Sequence, residues 1–275
     1  MDVFAAFIAP ALAGVFVGVM SGLLGVGGGT IMVPIFRLAF GMSPLASTAT
    51  SLFAIIPTSI SGVVAHTRAK TCVPKLGLAL GVGGAVMSPL GVWLASVSPG
   101  WLVICVAAVV IGFSAFKMFK KAVKCAPAPR AGASSAHSTT PKPVPDQPVL
   151  SRKQYLQGAC IGLIAGLASG YVGVGGGFIM VPLMLAILDI PMSLASGTSL
   201  IAIMILAIPG VIEQGLLGNI DYLAGIAIVV GSIPGALVGA RLVRVVPERQ
   251  LRFIFGGFLL VAAVMLMLNE FGILG

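Results

Sequence analysis

The run Gly25-Val26-Gly27-Gly28-Gly29-Thr30-Ile31-Met32-Val33-Pro34 returns 148 residues later as Gly173-Val174-Gly175-Gly176-Gly177-Phe178-Ile179-Met180-Val181-Pro182. The register extends outward without a gap. Upstream, Gly14, Gly18, Ser21 and Gly22 repeat as Gly162, Gly166, Ser169 and Gly170. Downstream, Thr50-Ser51-Leu52 repeats as Thr198-Ser199-Leu200, and Gly62, Gly83, Gly91 and Pro99 repeat as Gly210, Gly231, Gly239 and Pro247. Shared hydrophobicity would not align glycines, prolines and a Thr-Ser pair in one frame, so the chain is an internal duplication.

The material around these runs is a membrane protein's. Of 275 residues, 58% are hydrophobic and 8% charged, against about 25% charged in a soluble domain. Apolar stretches cover Val3–Leu24, Leu45–Val64, Leu76–Val97, Trp101–Phe116, Tyr155–Val172, Ser193–Ile212, Tyr222–Val243 and Leu251–Leu268. As helices at about 1.5 Å per residue, most can cross about 30 Å of hydrocarbon. The first has only Asp2 before it in place of a basic leader region and recurs in the second half, so it reads as a span and not a cleaved signal. The 37 glycines and 18 prolines fit membrane helices, where both are common.

The net charge of +9 is not a nucleic-acid footprint, because the basic residues sit at the ends of apolar stretches and orient them. Arg68, Lys70 and Lys75, with Lys117, Lys120, Lys121 and Lys124, mark one side in the first half. In the second half the counterpart of the Arg68 loop holds Glu213, Asn219 and Asp221. Arg241, Arg244, Arg249 and Arg252 gather at the other end. The bias has changed sides, which predicts repeats of opposite orientation. Opposite orientation needs an odd number of helices per half, hence a short extra helix after each glycine run, Thr30–Phe40 and Phe178–Leu188.

The expected fold is therefore an all-α polytopic membrane protein of two inverted repeats, each with four long helices and one short, broken or re-entrant one. The first repeat spans residues 1–123 and the second 151–275. Between them, residues 124–150 carry six prolines and read as a cytoplasmic linker. Both termini then face outward, and the protein belongs in the inner, cell membrane. Its partners are lipid and a small anion, with a homodimer left open.

A glycine run between a long helix and a half-length one exposes N–H and C=O groups that hydrocarbon cannot satisfy. Such a break is tolerated only where protein or a water-filled cavity covers it. It also places the positive end of a helix, with its unpaired amides, near mid-membrane, an arrangement that suits an anion. The candidate substrate-binding residues are Gly25, Val26, Gly27, Gly28 and Gly29 with Gly173, Val174, Gly175, Gly176 and Gly177, joined by the hydroxyls of Thr50, Ser51, Thr198 and Ser199. Ser21, Ser47, Thr48, Ser169 and Ser196 lie nearby. Close helix packing alone would account for the glycines spaced by four before each run.

No Asp, Glu or His falls mid-span, where cation carriers and proton pumps keep one. His66, Asp189 and Glu213 read as solvated boundary residues, and Arg37 and Arg241 as side chains that snorkel to the interface. The four cysteines share no metal-like spacing. The glycine run breaks the dinucleotide fingerprint at Thr30 and Phe178 and lacks the Lys of a P-loop. With no nucleophile–base pair in the apolar body, no enzyme and no cofactor is expected.

The doubled signature G-x3-G-x2-S-G-x2-G-V-G-G-G-x-I-M-V-P, each copy followed by a Thr-Ser-Leu helix, resembles the sulfite exporter TauE/SafE family of permeases. The resemblance covers both repeats and leaves out the Pro-rich linker. It implies a transporter, usually an exporter, of sulfite, sulfoacetate or related organosulfonates; the inverted repeats add the expectation that it works by alternating access. The rivals are a passive anion channel, a permease for thiosulfate or a carboxylate in the uptake direction, and a membrane scaffold without a substrate.

Overall fold

A computed structural model describes residues 3–124 and 150–270. Ten helices account for the regular structure: α1 (Val3–Leu24), α2 (Gly29–Phe40), α3 (Pro44–Arg68), α4 (Pro74–Val97) and α5 (Gly100–Lys124), then α6 (Arg152–Val172), α7 (Gly177–Leu183), α8 (Met192–Leu216), α9 (Tyr222–Leu242) and α10 (Glu248–Glu270). A π-helical turn, Met184–Leu188, continues α7, so Gly177–Leu188 forms one short apolar helix. Each half has four long helices and one short one, and the described residues form no strand. Six of the helices (α3, α4, α5, α6, α8 and α9) are long and apolar enough to cross a bilayer.

Local chemistry sets the boundaries. Ser43 caps α3, its hydroxyl accepting from Ala46 N, with Pro44 in the first turn where its missing N–H costs nothing. Ser151 and Gln154 form a reciprocal capping box at the start of α6. Asp221 caps α9 through Ala224 N. Gly41, at φ 61°, ends α2 in the left-handed conformation. The linker expected over 124–150 lies outside the described residues except at its ends. There, Lys124 closes α5 and Leu150 is buried against the core.

Helix packing repeats at the same offset as the sequence, with the two halves exchanged. α1 packs along α9 as α6 packs along α4, α3 meets α9 as α8 meets α4, and two pairs of equivalent helices, α3 with α8 and α5 with α10, face each other. The seams are glycine seams. A Cβ at Gly14, Gly18 or Gly22 would strike the backbone of Ile228, Ser232 or Ala236, and one at Gly162, Gly166 or Gly170 that of Leu80, Gly84 or Ser88. Every contact in the first set has its counterpart in the second. The small-residue faces are thus packing faces, which let two backbones approach where lipid supplies no hydrophobic drive for association.

The outer surface carries Leu12, Phe16, Leu78, Val86, Phe113, Phe116 and Leu156, all exposed, as hydrocarbon requires. Trp93 and Trp101, also exposed, flank the α4–α5 turn, the interfacial position such rings favour.

Candidate functional site

The two glycine runs form elbows, α1 to α2 and α6 to α7. Gly25, Gly27 and Gly28 have φ of 71°, 81° and 85°, and Gly173, Gly175 and Gly176 of 72°, 86° and 71°. A residue with a side chain pays about 1–2 kcal/mol for this left-handed backbone, which explains glycine at each of the six positions. All residues of both runs are buried. In α2 the first turn is closed by Ile31 N and Met32 N, both donating to Gly28 O at 3.0 Å. In α7, Ile179 N and Met180 N donate to Gly176 O at 3.1 and 3.0 Å. The amides upstream have no helical carbonyl behind them, as at every helix start.

The elbows meet in the core. A Cβ on Gly29 would lie 2.7 Å from Val174 O, and one on Gly177 would lie 2.5 Å from Gly25 O and 2.7 Å from Val26 Cα. The backbones therefore touch at these two positions rather than face each other across a gap. Beneath them lie Ile55 of α3 and Ile203 of α8, another pair at the repeat offset. Ile203 Cγ2 would be 2.9 Å from a Cβ at Gly27, and Ile55 Cδ1 3.0 Å from one at Gly175. Both isoleucines are fully buried. Neither stands out in the sequence, because an isoleucine in an apolar helix carries no signal of its own.

Ser51 and Ser199 clamp the elbows crosswise. Ser199 Oγ donates to Gly25 O at 2.6 Å, and Ser51 Oγ donates to Gly173 O. Each hydroxyl also lies near a carbonyl of its own helix, Ser196 O at 2.8 Å and Thr48 O at 2.9 Å. Thr50 and Thr198 do a related job one residue earlier. Thr50 Oγ1 accepts from Asp221 N at 3.0 Å, and Thr198 Oγ1 accepts from Val73 N at 2.9 Å. Asp221 and Val73 are the cap positions of α9 and α4, so each threonine ties down the start of a helix in the other half. The four hydroxyls singled out from sequence are all buried and all engaged with backbone of the opposite repeat.

His66 differs from its expected place. It is fully buried, with Nε2 2.8 Å from Gly22 O and Nδ1 2.8 Å from Thr71 Oγ1. It thus ties the end of α3 to the last turn of α1. The second half puts Gln214 and Asn219 at the same offsets, joined at 2.8 Å. Arg241 is exposed as expected. Arg252 is buried and ion-paired with Glu248 at 2.5 Å, Glu248 also accepting from Met192 N at 3.3 Å. No group of three or more His, Cys, Asp or Glu that could hold a metal occurs among the described residues.

Residues 10–266 match the family described as sulfite exporter TauE/SafE. The chain belongs to that family. The match takes in both elbows and both seams, so the TauE/SafE chain is covered from within α1 to within α10. Among its relatives, the probable membrane transporter protein YunE of Bacillus subtilis (strain 168) is 25% identical over 86% of this chain and 89% of its own length. YdhB of the same organism, 28% identical, has the same two coverages. YjnA, also from B. subtilis and also named a probable membrane transporter protein, is 26% identical over 93% of this chain and 97% of its own. No solved structure matches. This TauE/SafE protein is a multi-pass membrane transporter.

Proposed function

We propose that the protein moves a small oxyanion, sulfite or an organosulfonate such as sulfoacetate, out of the cell by alternating access of two inverted repeats. The observation that carries this reading is the meeting of the two elbows in the core. Each elbow brings a helix start and unwound glycine backbone there, and neutral N–H donors suit a solute that only accepts hydrogen bonds. Elbows that touch, with Ile55 and Ile203 beneath them, favour a gated path over a permanently open pore.

The charge bias and the odd helix count of each half support inversion. In that topology residues 124–150 are cytoplasmic and both termini lie outside. With the cell interior negative, outward movement of one elementary negative charge gains about 2.3 kcal/mol per 100 mV. Export of an anion then needs no coupling carboxylate.

Counterflow in proteoliposomes tests the proposal. Internal sulfite should accelerate uptake of labelled sulfite severalfold, with a response to sulfoacetate and a weaker one to acetate. Flux without trans-stimulation would replace the carrier by a channel. A stronger response to thiosulfate or a carboxylate would reassign the substrate. No flux of any anion would leave a scaffold.

A further inference from the structure

Five buried hydroxyls among the described residues make no hydrogen bond to protein: Ser21, Thr30, Ser59, Ser88 and Ser169. A buried polar group without a partner is costly and calls for an explanation. The repeat sorts them. The counterparts of Thr30, Ser59 and Ser88 are Phe178, Ala207 and Ala236, so those three hydroxyls have no equivalent in the other half. Ser21 and Ser169 are equivalent to each other, and each is essentially inaccessible, at 1% and 0% exposure. An accident of packing would not be expected to recur at both symmetry-related places.

Their position is equally specific. Ser21 O accepts from Gly25 N at 2.8 Å, and Ser169 O accepts from Gly173 N at 2.7 Å. The carbonyl of each serine thus closes the last helical turn before its elbow, while the hydroxyl is left over. The Ser21 Cβ is 3.6 Å from where a Cβ on Gly28 would stand, and the Ser169 Cβ 3.3 Å from the same point on Gly176. Gly28 and Gly176 are the cap residues of the two short helices. The β-carbon that carries each free hydroxyl therefore lies beside the cap residue of its own elbow.

Apart from Thr30, which is unpaired and has Phe178 as its counterpart, the other hydroxyls near the elbows are committed. Ser51 and Ser199 hold elbow carbonyls, Thr50 and Thr198 hold helix-start amides, and Ser47, Thr48 and Ser196 donate to carbonyls of their own helices. We propose that Ser21 and Ser169 are the side chains that donate hydrogen bonds to the transported oxyanion, one from each repeat, with Ser51 and Ser199 acting as clamps. This rests on the transport reading above and specifies its ligand set. Hydroxyl and amide donors without a fixed cation recognise a small oxyanion by its acceptor oxygens. They hold it loosely enough to let it go, as turnover requires.

The test uses the full chain in liposomes, with sulfite and sulfoacetate as probes. Ser21→Ala and Ser169→Ala should each raise the concentration for half-maximal counterflow roughly tenfold, the loss of one hydrogen bond to a charged group, and the double variant roughly a hundredfold. The unfolding temperature without anion should stay level or rise, because an unpaired buried hydroxyl has been removed, while the stabilisation by sulfite shrinks. Ser59→Ala and Ser88→Ala, which remove equally buried unpaired hydroxyls, should leave the half-saturating concentration unchanged. Should either alanine variant fail to fold, Ser21→Cys and Ser169→Cys keep the shape with a weaker donor and should show the same loss. Half-saturation at the wild-type concentration in the Ser21 and Ser169 variants would overturn the proposal. A wild-type protein silent to both anions would overturn the transport reading instead.

Discussion

Ser199 of α8 donates its hydroxyl to Gly25 O at 2.6 Å, reaching from the second repeat into the elbow of the first. Ser51 returns the same bond to Gly173 O. Removing either hydroxyl strips a carbonyl inside the protein of a partner it cannot replace with water. Ser199→Ala and Ser51→Ala should each cost about 1–3 kcal/mol, measured as a lower unfolding temperature in detergent. Ser199→Thr should recover part of the loss.

Gly28 and Gly176 test the elbow backbone itself. Alanine there faces left-handed φ of 85° and 71° and meets Val17 Cγ1 at 2.9 Å or Ala165 O at 3.0 Å. Gly28→Ala and Gly176→Ala should lose sulfite counterflow and destabilise by more than the strain alone. Gly41→Ala is the control, since its φ is 61° but no atom lies within 4 Å. It should cost only about 1–2 kcal/mol and keep transport.

The seams give a sharper contrast. A methyl at Gly166 would strike the backbone of Gly84, whereas one at Gly112 would have only Ala263 Cβ at 4.0 Å. Gly166→Ala should prevent recovery of folded protein or push α4 and α6 apart with a large fall in unfolding temperature. Gly112→Ala should be neutral or slightly stabilising in the same assay, as glycine is a poorer helix former by about 1 kcal/mol.

Ile55 and Ile203 fill the space under both elbows. Truncating either removes buried contacts, and Ile→Ala in a core costs about 2–5 kcal/mol. Ile55→Ala and Ile203→Ala should lower the unfolding temperature and add a leak of sulfite that shows no trans-stimulation in proteoliposomes. Ile55→Val should retain tight coupling.

His66 and Gln214 occupy equivalent places. His66→Gln installs the side chain that the second half already uses, and should keep the fold. His66→Leu abandons Gly22 O and Thr71 Oγ1, and should cost about 1–3 kcal/mol in thermal unfolding.

Much of the architecture was legible because membrane helices announce themselves by length and because the duplication supplied each boundary twice. Val3–Leu24 and the half-length helices after the glycine runs stand within a residue of their expected limits. Ser51 and Ser199 were legible as hydroxyls near the elbows. Their crosswise partners were not, since a pairing over 174 or 122 residues leaves no trace in local spacing. His66 was misplaced because a histidine close to Arg68 and Lys70 reads as surface, and only the fold brings Gly22 O to its ring. The contact between Gly29 and Val174, and Ile55 and Ile203 beneath it, depend on how the halves dock, which periodicity does not encode.

The claim on which the rest depends is that the anion passes where the elbows meet. In a chain with Cys72, Cys105, Cys125 and Cys160 replaced, Val26→Cys and Val174→Cys place a thiol in each elbow with little change of bulk. During turnover an anionic, membrane-impermeant thiol reagent should modify each site from the aqueous phase, and excess sulfite should slow both reactions severalfold. Thiols that stay unmodified from both sides of the membrane, or react at a rate indifferent to sulfite, would contradict it.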